Sequence, residues 1–213
     1  MTDNVNNLID QLLRDHHPIP PERHPLLRTL PVAVGIVAYM AVITLLIGLR
    51  SDWLAMLTQS PTYQLELLLA FTVSVTAILA AGWLRIPYMK SQAWVIAAAL
   101  VSAGIFLSFE VFRLINEGIT LAAIQTFRDC YVHALALASL PTMVLVIMQK
   151  SGSTTRPYLS ALTGTLAIGG FAWIGLRLTC SLDLAGHNAI VQLSPFMLLG
   201  LGLGIFARRL YKW

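Results

Sequence analysis

The chain has 213 residues, of which 57% are hydrophobic and 11% charged, with a mean hydropathy of +0.73. Soluble globular chains carry about a quarter charged residues, so this composition excludes a water-solvated domain and points to an integral membrane protein. The net charge of +4 includes no stretch that interleaves basic and aromatic residues, which excludes a nucleic-acid groove and leaves charge as a guide to topology.

The first element is a polar arm, VNNLIDQLLRDHHPIPPERHP. Val5, Leu8, Ile9, Leu12 and Leu13 recur at i, i+3, i+4, i+7 and i+8, which predicts a short amphipathic helix with one oily stripe. Thr2 or Asp3 can cap its start, and Pro18, Pro20 and Pro21 end it in an extended tether. This polar, proline-rich opening does not read as a cleavable leader, so the arm is expected to be retained. A helix this short is marginal alone in water and needs a surface for its stripe. Interfacial anchors carry Lys and Arg on the polar face, whereas this one sets Asp3, Asp10 and Asp15 against Arg14. A protein groove therefore fits better than lipid, with the membrane interface or the cytoplasmic face of the bundle as alternatives.

Six apolar runs follow, at Thr29–Leu49, Gln64–Leu84, Ala93–Phe112, Tyr131–Gln149, Tyr158–Leu176 and Ala189–Ala207. Each is close to the roughly 20 residues that a helix needs to cross the hydrocarbon, and none shows the alternation of a β-barrel. The expected fold is an all-α integral membrane protein, a bundle of six transmembrane helices with the amphipathic helix in front. Its parts are an arm at 1–28, a membrane domain at 29–207 and a basic tail at 208–213. Small polar residues inside the runs, Thr44, Ser74, Ser102, Ser108 and Thr163, can bond back to their own helices, while Pro141 and Pro195 are expected to bend theirs. Gly200 and Gly204 form a small-xxx-small pair that admits close approach to a neighbouring helix or to a second copy, hence a possible homodimer. No ionisable residue falls near mid-span; Glu66, Glu110 and His133 lie at span ends, which argues against a small transporter.

The connectors set the orientation. Arg14, Arg23, Arg28, Arg85, Lys90, Lys150, Arg156, Arg208, Arg209 and Lys212 fall on the side of the termini, ten in all, against four on the other: Arg50, Arg113, Arg128 and Arg177. The positive-inside rule then puts both termini in the cytoplasm. The outer side gathers Asp52, Glu66, Glu110, Glu117, Asp129 and Asp183.

Both cysteines fall on that outer side, Cys130 in RDCYVH at the start of the fourth span and Cys180 in RLTCSLDLAGHN after the fifth. Cys130 and His133 stand one helical turn apart, and Cys180 is followed by Asp183 and His187. Thiolate and imidazole suit a soft cation such as Zn, Cd or Cu(I), with Cys130, His133, Cys180 and His187 as the candidate ligands. A disulfide and two unrelated thiols remain open as alternatives. A membrane thiol-disulfide oxidoreductase would want a close pair such as Cys-x-x-Cys, which is absent.

Taken together, LIDQLL, IGLRSDW, SPTYQLELLLAF, DCYVHALALASLP, RLTCSLDLAGHNAIVQLSPF and GIFARRL resemble the NrsF-type negative regulators of extracytoplasmic-function sigma factors, in order and in spacing to six spans. The resemblance implies a non-enzymatic anti-sigma factor of the bacterial inner membrane. Its cytoplasmic arm, around Leu8, Ile9, Leu12 and Leu13, would hold the sigma factor. Cys130 and Cys180 would sense oxidising metal stress and trigger release, with no resident cofactor beyond a heavy-metal ion bound transiently at the thiols. The chain departs from some members of the family in lacking a cysteine in the third span, VSAGIFLSFEVF.

Overall fold

The computed structural model describes residues 24–85, 93–120, 127–150 and 154–211. The arm residues Val5, Leu8, Ile9, Leu12 and Leu13 lie outside that set. The elements are α1 (Pro25–Ile47), α2 (Trp53–Gln59), α3 (Pro61–Trp83), α4 (Ala93–Glu117), α5 (Phe127–Lys150), α6 (Pro157–Thr179), α7 (Ala185–His187), a π-helical segment (Asn188–Gln192) and α8 (Ser194–Leu210). There is no strand among the described residues, and six helical stretches are long and apolar enough to cross a bilayer, the last being Ala185–Leu210. The expected all-α membrane bundle is what forms.

Helix starts follow local chemistry. Pro25, Pro61, Pro157 and Pro195 stand in the first turns of α1, α3, α6 and α8, where a missing N–H costs no helical hydrogen bond. The Ser60 hydroxyl accepts the Tyr63 N–H at 3.4 Å, and Gly48, at φ 100°, turns the chain out of α1. Pro195 thus begins a helix, while Pro141 lies within α5. The seven-residue α2 is an addition to the six expected spans; none of its residues is buried, and its Trp53 suits a membrane interface.

The centre of the bundle is α6, which packs on α1, α3, α5 and α8, while α4 leans on α3. Small residues allow these crossings. A Cβ at Gly170 would stand 2.7 Å from the Ala70 carbonyl oxygen, and one at Gly175 would stand 2.8 Å from Thr44 Oγ1. A Cβ at Gly200 would lie 3.0 Å from Thr165 Cγ2, so this glycine serves a crossing inside the bundle, whereas Gly204 faces open space. Three of the small hydroxyls behave as their spacing implies. Ser74 donates to the Ala70 carbonyl at 2.7 Å, Thr163 to Leu159 at 2.8 Å and Ser102 to Ala99 at 3.0 Å. Ser102 also meets Thr76 Oγ1 at 2.8 Å, tying α4 to α3.

Candidate functional site

At one end of the bundle α6 stops at Thr179, and Cys180 leaves it in an extended conformation while its N–H still reaches the Leu176 carbonyl at 2.8 Å. The chain crosses to Ala185, whose N–H donates to Glu117 Oε2 of α4 at 3.0 Å. That acid holds the start of α7 and favours it electrostatically. Two residues on, His187 faces back toward Cys180, and the π-helical segment follows, closed by the Leu193 N–H on the Asn188 carbonyl at 3.0 Å. Segments of this kind often stand at functional sites.

Three ligand-capable groups converge there. Cys130 Sγ lies 3.5 Å from Cys180 Sγ, and Cys180 Sγ lies 3.5 Å from His187 Nε2. Their ligand atoms all fall within 4.8 Å of one another. The thiols are 7% and 8% exposed and His187 is fully enclosed, with Val191 and Leu182 forming the apolar wall. No bond joins the two sulfurs. His133, the other histidine of the candidate ligand set, is half-buried and stands outside this group of three.

The hydrogen bond with Cys130 holds the Cys180 thiol down, to about 4, against the burial that would push it up, and His187 adds to the effect. A thiolate flanked by a second sulfur and an imidazole is a donor set for a soft cation. With metal–sulfur bonds of about 2.3 Å, tetrahedral geometry sets two sulfurs roughly 3.8 Å apart, while a disulfide needs about 2.05 Å. The 3.5 Å separation is therefore near that of a shared ion, and a disulfide requires the sulfurs to close further.

Beside the thiols lies a lattice of buried charge. Arg177, fully enclosed, sets its Nε 2.7 Å from Glu66 Oε1 and donates to Asp183 and, at 3.4 Å, to Asn188 Oδ1. Arg113 donates to Glu66 Oε2 at 2.8 Å and to Glu117 Oε1 at 3.1 Å. Trp173 Nε1 donates to Glu66 Oε1 at 2.9 Å, and the Arg177 guanidinium lies over the Tyr63 ring at 5.0 Å. Burial pushes the Asp183 carboxyl up, but Arg177 and Arg113 outweigh it and hold that carboxyl below the usual range. Arg50 grips Asp52 with Nε at 2.6 Å and Nη2 at 2.9 Å, and its Nη1 donates to the Cys180 carbonyl at 3.1 Å. That grip holds the Asp52 carboxyl below its usual range. Glu110 is buried at 2% exposure, and neither of its oxygens has a hydrogen-bond partner.

Sequence reasoning counts Arg50, Arg113 and Arg177 as markers of sidedness and does not foresee that they interlock. The available signal was that the acids on that side, Asp52, Glu66, Glu117 and Asp183, recur at the same ends of neighbouring spans as the arginines.

No curated protein and no solved structure shows significant similarity to the chain. Residues 12–213, almost its whole length, match the family model described as NrsF, negative regulator of sigma F. A helical bundle with six spans and a match of that extent make the chain a member of the NrsF family, a multi-pass membrane protein that negatively regulates a sigma factor.

Proposed function

We propose that the chain holds an extracytoplasmic-function sigma factor at the bacterial inner membrane through its amino-terminal arm, and releases it when a metal or oxidant reaches Cys130 and Cys180 on the outer face. The observation that carries this reading is the convergence of Cys130, Cys180 and His187 within 4.8 Å, at the end of the bundle away from the point where the arm joins α1. A soft divalent cation would take the two sulfurs and the imidazole nitrogen as ligands, displacing the remaining thiol proton. An oxidant that accepts two electrons and two protons would instead convert the two thiols to a disulfide.

Sidedness is supported by the count of Lys and Arg, ten on the side of the termini against four on the other. The low Cys180 thiol would also serve a thiol-disulfide oxidoreductase. A protein disulfide, however, cannot approach sulfurs that are 7% and 8% exposed, whereas an ion or a small oxidant can. The reading is therefore a regulator and not an enzyme. Release requires two arrangements of the bundle with different affinity for the sigma factor; a coupling of about 1–3 kcal/mol changes that affinity roughly 5- to 150-fold.

The test is the pair Cys130→Ser with Cys180→Ser. Copurification of the sigma factor should be unchanged without stress, and release on adding cadmium or diamide should be lost. A normal response would refute sensing by these thiols.

A further inference from the structure

Of the six spans α1 is the least embedded, with 17% of its apolar window buried against 67% for α6. Open grooves flank it on two sides, one of about 320 Å³ against α6 and one of about 210 Å³ against α5, and between them Ile36, Met40 and Thr44 pack into the bundle. A helix with so narrow a packed face has fewer close contacts to break when it shifts than one enclosed on all sides. Its inner end continues from Pro25 directly into the arm.

Its outer end is clamped. The Arg50 N–H donates to the Leu178 carbonyl at 3.0 Å, and Arg50 Nη1 donates to the Cys180 carbonyl at 3.1 Å. Asp52 occupies Nε and Nη2 of the same guanidinium, which fixes the planar fork and aims the remaining nitrogen at Cys180. Arg50 is 7% exposed, so water does not readily replace these bonds.

We propose that Arg50 is the coupling residue of the switch: it locks the outer end of α1 to the backbone of Cys180, and a change at the Cys180 sulfur opens that lock and lets α1 carry the change to the arm. The proposal rests on the sensing reading above and deepens it. Pulling the sulfurs together, or drawing them around an ion, turns a residue whose carbonyl is the acceptor for Arg50. A helix is stiff along its axis, and α1, at about 1.5 Å per residue, is long enough to pass an axial shift from one face of the bilayer to the other.

The test uses the full chain in lipid nanodiscs with its copurified sigma factor, treated with cadmium chloride or diamide. Hydrogen exchange of the segment 48–53 should rise about tenfold or more on treatment, in step with release, because the Arg50 amide loses its acceptor. In Arg50→Ala the lock is open from the start, so capture of the sigma factor without treatment should fall by roughly tenfold, while the thiols are still modified, as read by a maleimide mass shift. Release with unchanged protection of 48–53, or normal capture by untreated Arg50→Ala, overturns the proposal. If Arg50→Ala does not insert, Arg50→Lys keeps a positive charge beside Asp52 but loses the planar fork, and untreated capture should then fall several-fold; unchanged capture overturns the proposal equally. If the natural sequence is modified at both thiols and releases nothing, the sensing reading fails, and the proposal falls with it.

Discussion

Arg177 of α6 and Glu66 of α3 meet at 2.7 Å, with no solvent-exposed surface on either side chain. In a bundle surrounded by lipid neither charge can turn to water, so each depends on the other and on the groups around them: Asp183 and Asn188 for the arginine, Arg113 and Trp173 for the glutamate. The lattice joins α3, α4, α6 and, through Asp183, the segment that follows Cys180.

Removing one partner should therefore cost far more than removing both. Arg177→Met leaves Glu66 sharing a single guanidinium and should destabilise the bundle by about 3–5 kcal/mol. The double variant with Glu66→Gln should cost less than the sum of the singles, with an interaction energy of about 0.5–3 kcal/mol. Reversible unfolding in detergent measures this, and strict additivity would show that the pair does not act as a unit.

Helix crossings give a sharper contrast. A Cβ at Gly170 would stand 2.7 Å from the Ala70 carbonyl oxygen, a backbone atom that cannot yield without moving α3. Gly170→Val should cost at least the roughly 1–3 kcal/mol typical of overpacking. Gly204→Ala, with nothing within 4 Å, should leave monomer stability unchanged. If Gly204→Ala nonetheless weakens a cross-linked dimer in membranes, the open face at Gly204 contacts a second copy.

The six spans were legible because length and apolarity alone specify them; they need no knowledge of neighbours. Cys130 and Cys180 were legible as a pair by side, but not by distance. The sequence offers both His133, one turn from Cys130, and His187, after Cys180, and of the two it is His187 that joins the thiols. It arrives because the chain after Cys180 runs extended and Glu117 of α4 pins the start of α7, a contact between residues 68 positions apart. Local spacing names both histidines and does not choose between them. The ion lattice was hidden for a related reason: Arg177 and Glu66 are 111 positions apart in sequence, so charge read connector by connector yields topology and not pairing. The seven residues of α2 are too few for periodicity to separate from the flanking spans.

Thiol chemistry should betray the low value at Cys180. With the Cys130 hydrogen bond holding the thiol near 4, its alkylation by a small reagent should be flat from pH 8 down to about 6 and fall below about 5, where an ordinary thiol would already be slow at neutral pH. Cys130→Ala removes the donor and should move the midpoint upward by several pH units, because burial then acts with less opposition. The folded value lies below the unfolded value of about 8.5, so the folded state binds fewer protons in between. This contribution to stability is complete above about 8.5 and is lost as pH falls through about 4. A midpoint at 8 or higher in the natural sequence would sink the assignment.

The arm offers the most direct test of how the family's function is carried here. Its stripe of Val5, Leu8, Ile9, Leu12 and Leu13 is rooted in the sequence alone, and the family match covers Leu12 and Leu13 but not the three residues before them. Each apolar side chain fully buried in a partner groove contributes about 1.5–3 kcal/mol before ordering costs, so charging two of them should remove more than the complex can lose. Leu8→Asp with Leu12→Asp should abolish capture of the sigma factor while membrane insertion is unaffected, since neither position lies in a span. Asp10→Asn, on the polar face, should change capture little. Undiminished capture by the double variant would move the sigma-binding surface off the stripe; equal loss with both variants would mean that the charge of the arm, and not its oily face, makes the contact.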